Sequence, residues 1–197
     1  VMARVQEALG ARTALPAFFS GHDRDGSPAR TERCPHLTFL FDPGHARLLV
    51  VAPHVLDRRP PTPEEGQHLR ALDLALAEFR ELRAGSSGLL TLRTNSVETN
   101  ADPLFAASRA WESLTPYQVT RHTKLVGAAE ALVADLRAEC RRRGLPDPRV
   151  TPLESHGVPG IGLVDNARLT FEVAVKGPVV LGRSRHLGGG LFKGTMQ

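Results

Sequence analysis

The chain has little cysteine and no long hydrophobic run. Its two cysteines, Cys34 and Cys140, are far apart and form no CxxC pair, so neither a zinc site nor a disulfide framework is indicated. The longest apolar run, Leu48 to Pro53, is far shorter than the roughly 20 residues that span a bilayer. We therefore expect a cytoplasmic chain in a reducing setting, with no cofactor, no metal site and no membrane partner.

Aromatic residues are also few, at 5% of the chain, and no basic-Gly-aromatic run of the RRM type is present. RNA, if bound, would then be held through backbone charge and shape rather than by bases stacked on a sheet. The eight histidines contain no HExxH or HxxxH pair, which gives no sequence signature of a zinc site. The Gly-x-Ser-x-Gly elbow of α/β-hydrolases is missing too.

What the sequence does have is an ordinary globular composition with a local excess of positive charge. The 197 residues are 41% hydrophobic and 23% charged, enough for one large or two small domains. The formal net charge is +4, and residues 176–197 carry four cations and no acid. Such an excess is typical of a nucleic-acid groove, and a solubilising basic face is the alternative. The opening Val-Met-Ala-Arg-Val contains no signal peptide and no initiator methionine, so we expect a fragment of a longer chain.

Hydrophobic periodicity and turn residues predict alternating helices and strands. Helices are predicted over 1–9, 62–83 and 125–143, and strands over 36–41, 46–52, 89–94, 111–120, 149–153, 167–175, 179–181 and 191–192. The start of the second helix carries Thr62-Pro63-Glu64-Glu65, an N-cap followed by proline and acids. The order favours an α+β fold of ferredoxin-like units, one over 1–105 with a leading loop and one over 106–197.

The glycine-rich tail is the strongest local signal. The tail contains four glycines, Gly182, Gly188, Gly189 and Gly190. The basic residues Arg183, Arg185, His186 and Lys193 lie among and after them. Glycine lets a phosphate backbone approach peptide N–H groups closely, and arginine supplies bidentate charge. Too few residues follow for the helix of a dinucleotide-binding unit, and the P-loop Gly-Lys-Ser/Thr is missing. The alternative is a tight β-hairpin turn with incidental arginines.

Three further segments contain candidate acid–base or phosphate-binding groups. His22 begins HDRDG, which lacks the spacing of a calcium loop and could be an ordinary Asp-Gly turn. His45 follows Gly44 in a predicted hairpin turn, an exposed place suited to a catalytic group. Arg121, His122 and Lys124 precede the last helix and could bind phosphate or form a plain polar connection.

These motifs, taken in order, resemble the RAMP superfamily of CRISPR-associated proteins. Gly182, five residues and then Gly188-Gly189-Gly190 match its G-x-x-x-x-x-G-x-G loop. More narrowly, the chain is similar to the C-terminal half of the fused Cas-five/Cas-six subunit of subtype I-G (formerly I-U) systems. The matching segments are Ser20 to Pro28, Pro35-His36, His45-Ala46 and Trp111 to His122. The chain departs from that pattern at Asn166, where the family has a histidine.

The resemblance implies ferredoxin-like units and a metal-independent endoribonuclease that cuts CRISPR repeat RNA into guide RNA and stays on the product. It also implies other subunits of a type I effector complex as partners, with no DNA contact for this part. Histidine suits both proton transfers near neutral pH, so we expect His45 and His22 to be the catalytic pair. The other candidates named above would bind RNA. A non-catalytic RNA-binding subunit is the alternative.

Overall fold

The computed structural model describes residues 2–10, 15–23, 25–29, 36–120, 127–158 and 162–195. Its helices are α1 (Met2–Ala8), α2 (Ala17–Ser20), α3 (Pro53–Leu56), α4 (Pro63–Ala77) and α5 (Ala128–Arg142). Its strands are β1 (Thr38–Asp42), β2 (Arg47–Val51), β3 (Glu81–Arg83), β4 (Leu89–Thr91), β5 (Ala107–Ser113), β6 (Tyr117–Gln118), β7 (Arg149–Val158), β8 (Gly162–Lys176), β9 (Val179–Val180) and β10 (Leu191–Thr195). All sheets are antiparallel, which confirms the predicted α+β class.

The chain divides into two compact units. Unit 1 comprises Val1–Leu37, Ala52–His54 and Arg59–Val97, and unit 2 comprises Thr38–Val51, Val55–Arg58 and Glu98–Gln197. The predicted pair of ferredoxin-like domains, divided after residue 105, stays a prediction. Within the described ranges no helix combines the length and the apolar character that a bilayer crossing needs.

Helix α4 is the main helix of unit 1, and its first turn forms as the sequence predicts. Thr62 accepts a hydrogen bond from the backbone N–H of Glu65, whose carboxylate accepts one from the N–H of Thr62. This capping box satisfies two of the otherwise unpaired donors at the helix start. The helix ends at Ala77, earlier than the predicted Arg83. Residues Glu81–Arg83 pair instead with Leu89–Thr91, and this strand pairing replaces the last helical turn.

The main sheet of unit 2 is antiparallel and has six strands. Strand β8 pairs with β7 on one edge and with β5 and β6 on the other, and β10 and then β9 follow beyond β5. Helix α5 packs against β7 and β8. The buried core contains Trp111, Tyr117, Leu132, Leu136, Cys140, Leu169, Phe171, Leu181 and Phe192.

Strand β8 is longer than the sequence predicts. The apolar alternation starts at residue 167, but the strand begins at Gly162. Its first part, residues 162–166, is held by pairing on both edges: Asp165 lies opposite Tyr117 in β6 and opposite Ser155 in β7. Pairing with two neighbouring strands therefore extends β8 over residues that show no alternation of apolar and polar side chains.

The predicted hairpin of 36–52 is present as β1 and β2 in unit 2. Its register pairs Asp42 with Arg47 at the turn and Thr38 with Val51 at the open end. Side chains alternate along both strands, so that Leu40 and Leu49 are buried while Phe39 and Phe41 are exposed. The hairpin thus has one buried face and one apolar face that is open to water.

Candidate nucleic-acid interface

The turn between β1 and β2 holds an exposed histidine on a buried carboxylate. Nδ1 of His45 donates a hydrogen bond of 2.9 Å to Oδ2 of Asp42. The side chain of Asp42 is 1% exposed, and that of His45 is 59% exposed. Because Nδ1 is used by the carboxylate, Nε2 is the ring nitrogen left to exchange a proton with a ligand. A buried acid that orients an exposed imidazole is the arrangement in which histidine serves as a general acid or base.

Asp42 is itself fixed by two further groups. Nε of Arg47 donates to Oδ2 over 2.7 Å, and the backbone N–H of Gly44 donates to Oδ1 over 3.0 Å. Arg47 also donates to Asp102, which accepts a backbone bond from Leu104 as well. Burial acts to raise the pKa of Asp42, but the hydrogen bonds from Arg47 and His45 outweigh it and hold that pKa below its usual range. The carboxylate is therefore ionised near neutral pH.

Sequence reasoning selected His45 but missed Asp42 and Arg47. A signal for both was available in the turn itself. Aspartate at the first position of a turn accepts backbone N–H bonds two residues on, as Asp42 does from Gly44. The hairpin register then brings residue 47 opposite residue 42.

The glycine-rich segment is a tightly folded loop between β9 and β10. A Cβ on Gly190 would lie 1.7 Å from the carbonyl oxygen of Leu181, and one on Gly182 would lie 2.7 Å from that of Gln118. Both glycines have positive φ, +64° and +96°, which L side chains rarely adopt. These two glycines are thus required by the close approach of the chain to itself.

The sequence predicts that the backbone N–H groups of this loop face a phosphate, but three of them bond to carbonyl oxygens of the protein. Gly190 donates to Pro116, Gly189 donates to Ser184, and Gly188 donates to Arg185, all of them carbonyl acceptors within the protein. Three of the glycine amides are therefore already used. An anion at this loop would be bound mainly by side chains.

The charged side chains of the loop differ in exposure. Arg183 is exposed, and no carboxylate of the described residues lies within ion-pairing distance of it. Arg185 is half-buried and donates to the carbonyl of Gly182 over 3.5 Å. His186 is exposed beside it on the 3₁₀ turn Arg185–Leu187. Lys193 lies on β10 opposite Glu112, so it belongs to the sheet rather than to the loop.

Two arginines at the end of α5 add charge near Arg185. Arg142 and Arg143 both donate to the buried carboxylate of Glu139. Burial lowers the pKa of Arg185, and the like charges of Arg143 and Arg142 lower it further, while Glu139 raises it. Arg142, Arg143 and Arg185 are therefore close enough to interact electrostatically. We call these three the arginine cluster.

A buried hydrogen-bond network lies beside the arginine cluster. Asp135 accepts bonds of 2.6 Å from the hydroxyl of Tyr117 and from the backbone N–H and hydroxyl of Thr120. Arg142 also donates to the hydroxyl of Thr120 over 3.0 Å. The predicted residues Arg121, His122 and Lys124 follow directly in the chain but lie outside the described residues.

The loop and the histidine turn meet at strand β1. A Cβ on Gly188 would lie 3.8 Å from the backbone nitrogen of Phe41, the residue before Asp42, and the 3₁₀ turn contacts β1. His45 and the loop cations thus belong to the same unit and to adjoining segments. We call this combined surface of His45, Arg183, Arg185 and His186 the candidate interface.

His22, the second predicted catalytic group, lies in unit 1. It pairs in a short β-bridge with Pro28, and its Nδ1 donates to the carbonyl of Ser20 over 2.8 Å. The structure therefore describes His22 and His45 in different units. No group of three or more His, Cys, Asp or Glu side chains in the described part of the chain is arranged to hold a metal ion.

Comparison with known proteins finds no relative of this chain. No protein-family model matches the sequence, no curated protein matches it, and no solved structure matches it. The functional assignment therefore depends on the residues and geometry given above and on the motif order of the sequence.

Proposed function

We propose that this chain is an endoribonuclease that cleaves CRISPR repeat RNA without a metal ion. The observation that carries the proposal is the exposed imidazole of His45, held by the buried and ionised Asp42 in the same unit as the arginine-bearing loop. This unit combines an acid–base group with cations that can hold a phosphate. RNA cleavage through the 2′-hydroxyl needs both.

The strand order of unit 2 supports the RAMP resemblance. The strands β10, β5, β8 and β7 lie side by side, and α5 connects β5 and β6 to β7. We infer from this order a ferredoxin-like β-α-β-β-α-β unit in which residues 177–190 take the place of the second helix. We propose that the loop between β9 and β10 is the glycine-rich loop of that superfamily.

His45 has the geometry of a general base or acid in this reaction. Nε2 of His45 takes the proton of the 2′-hydroxyl, the 2′-oxygen attacks phosphorus, and the bond to the 5′-oxygen breaks. A second group protonates the 5′-oxygen, and His22 stays the predicted one. The products are a 2′,3′-cyclic phosphate and a 5′-hydroxyl. Arg183 and Arg185 stabilise the negative charge that develops on the phosphoryl oxygens.

The test is cleavage of candidate repeat hairpins by the whole chain. We expect His45→Ala to reduce the rate by about 10²- to 10⁴-fold while the melting temperature stays unchanged. His22→Ala is measured beside it to test the second assignment. Cleavage should persist in EDTA and should be abolished by a 2′-deoxy substitution at the scissile position.

A matched arginine pair tests the binding side of the proposal. Arg183→Ala should weaken RNA binding and its salt dependence. Arg93 is an exposed arginine of unit 1, and Arg93→Ala should leave both unchanged. Tight RNA binding without any cleavage would favour the non-catalytic RNA-binding subunit. Cleavage by His45→Ala and His22→Ala together at the native rate would contradict the proposal.

A further inference from the structure

The open face of the β1–β2 hairpin presents two aromatic rings to water. Phe39 and Phe41 are 47% and 49% exposed, and both lie on the same face because they are two positions apart in a strand. They pair in register with Val50 and Leu48 of the neighbouring strand, which are exposed too. Large apolar side chains gathered on one open face indicate a binding surface rather than a chance exposure.

The surroundings of this face are positive. The 3₁₀ turn that contains Arg185 and His186 contacts β1, and Gly188 approaches the backbone of Phe41. The only acid in residues 36–52 is Asp42, which is buried and bonded to Arg47 and His45. A ligand on the two rings therefore lies on a hairpin without an exposed carboxylate and beside a turn that carries Arg185 and His186. That charge pattern suits a polyanion with flat apolar groups.

We propose that Phe39 and Phe41 are stacking platforms for unpaired bases of an RNA strand whose phosphates lie on the candidate interface. This inference rests on the proposed function and adds how the bases, rather than the backbone, are held. Two ring positions in one strand are about 6.5 Å apart, a separation that an unstacked strand spans in one nucleotide step. Aromatic side chains beside a basic groove are the common means of binding single strands without sequence preference.

The test uses a short oligoadenylate and an oligomer of the same length without bases, both bound by the His45→Ala chain so that no cleavage occurs. We expect the loss of bases to weaken binding about tenfold or more, and Phe39→Ala with Phe41→Ala to weaken oligoadenylate binding by the same factor. The double variant should bind the base-free oligomer as the parent does. Leu48→Ala with Val50→Ala, on the opposite strand of the same face, is the matched control and should have a smaller effect.

Ring-conserving substitutions separate stacking from plain apolar contact. Phe39→Trp with Phe41→Trp should keep the affinity for oligoadenylate, and Phe39→Leu with Phe41→Leu should lose it as the alanine pair does. Leucine variants that bind normally would overturn the inference. So would a concentration-dependent self-association that the alanine pair abolishes, because the face would then bind a second copy of the chain.

The outcomes also distinguish this inference from the proposed function. If the chain binds and cleaves repeat RNA but the phenylalanine variants bind at the parent affinity, only the stacking role is wrong. If neither oligomer binds and no repeat hairpin is cut, both proposals are wrong.

Discussion

Each unit contains a buried carboxylate paired with arginine, and the two carboxylates differ in their additional hydrogen-bond partners. In unit 1, Glu65 accepts two bonds of 2.6 Å from the guanidinium of Arg59 and one from the backbone N–H of Thr62. In unit 2, Asp42 accepts from Arg47 but also from the exposed ring of His45. All the bonds of Glu65 named here go to Arg59 and to the start of α4. Asp42 also orients the exposed ring of His45.

The difference shows that burial and ion pairing alone do not identify a functional carboxylate. Both side chains are almost fully buried, and in both cases hydrogen bonds from arginine lower the pKa against the effect of burial. What separates them is the third partner. The backbone amide that bonds Glu65 belongs to a helix start, whereas the exposed imidazole that bonds Asp42 is the group that the proposed cleavage requires.

Removing the negative charge of Asp42 should have the largest effect, and it should be on catalysis. Asp42→Asn leaves His45 without an anionic partner at Nδ1, so the ring loses its fixed orientation. We expect the cleavage rate to fall by about 10²- to 10³-fold, measured in single-turnover cleavage with RNA binding followed in parallel. Asp102→Asn, which removes one of the two anionic partners of Arg47 and leaves the bond from His45 to Asp42 in place, is the control and should reduce the rate much less. An unchanged cleavage rate in Asp42→Asn would show that Asp42, like Glu65, has no part in catalysis.

Glu65→Gln should instead affect stability. The bonds from Arg59 lower the pKa of Glu65 to about 2, despite the opposing effect of burial. Relative to the ordinary value of 4.5 this corresponds to about 2 to 3 kcal/mol, once solvent screening at the partly exposed Arg59 is included. Urea unfolding should show a loss of that size. The rate of cleavage per folded molecule should match that of the parent chain.

The same group sets an acid dependence of stability. A carboxylate whose pKa is lower in the folded state stabilises the protein above its unfolded pKa, and that contribution is lost as pH falls through the folded pKa. For Glu65 the loss runs from about pH 5 down to about pH 2. Urea midpoints measured over this range should fall steeply in the parent chain and less steeply in Glu65→Gln. Equal slopes would show that the ion pair contributes nothing.

Thr62→Ala should give the smallest change. It removes the side-chain oxygen that accepts from the N–H of Glu65, at about 1 kcal/mol for a lost N-cap. The bonds of Glu65 to Arg59 and to the N–H of Thr62 remain, so the acid dependence should persist. Thermal unfolding with pH as the second variable would separate this variant from Glu65→Gln.

The sequence predicted those features that short-range chemistry determines. Thr62-Pro63-Glu64-Glu65 contains the whole capping box, so the start of α4 was predictable to the residue. The end of α4 was not, because no glycine or proline lies between Ala77 and Arg83. There the pairing of β3 with β4 overrides a helical pattern that continues to Phe79. Such pairing depends on residues six to ten positions away, and hydrophobic periodicity does not show it.

The candidate interface also has some features that local sequence predicts and others that depend on distant segments. The exposed turn position of His45 and the presence of Asp42 in that turn follow from local turn chemistry. The second carboxylate on Arg47 and the approach of Gly188 to Phe41 depend on how distant segments fold together. The glycine pattern indicated a special loop but not its cause. Gly190 is needed because the chain approaches the carbonyl oxygen of Leu181 at that position.

Unit 2 takes its histidine from a stretch of chain that is synthesised long before the remainder of that unit. Arg47 and Asp102 are 55 positions apart, and the intervening residues 59–97 belong to unit 1. The hairpin therefore leaves the ribosome first, and residues 59–97 of unit 1 are translated before Asp102, the second carboxylate on Arg47, emerges. A polypeptide that stops at residue 97 contains His45, Asp42 and Arg47 but lacks Asp102, the second anionic partner of Arg47.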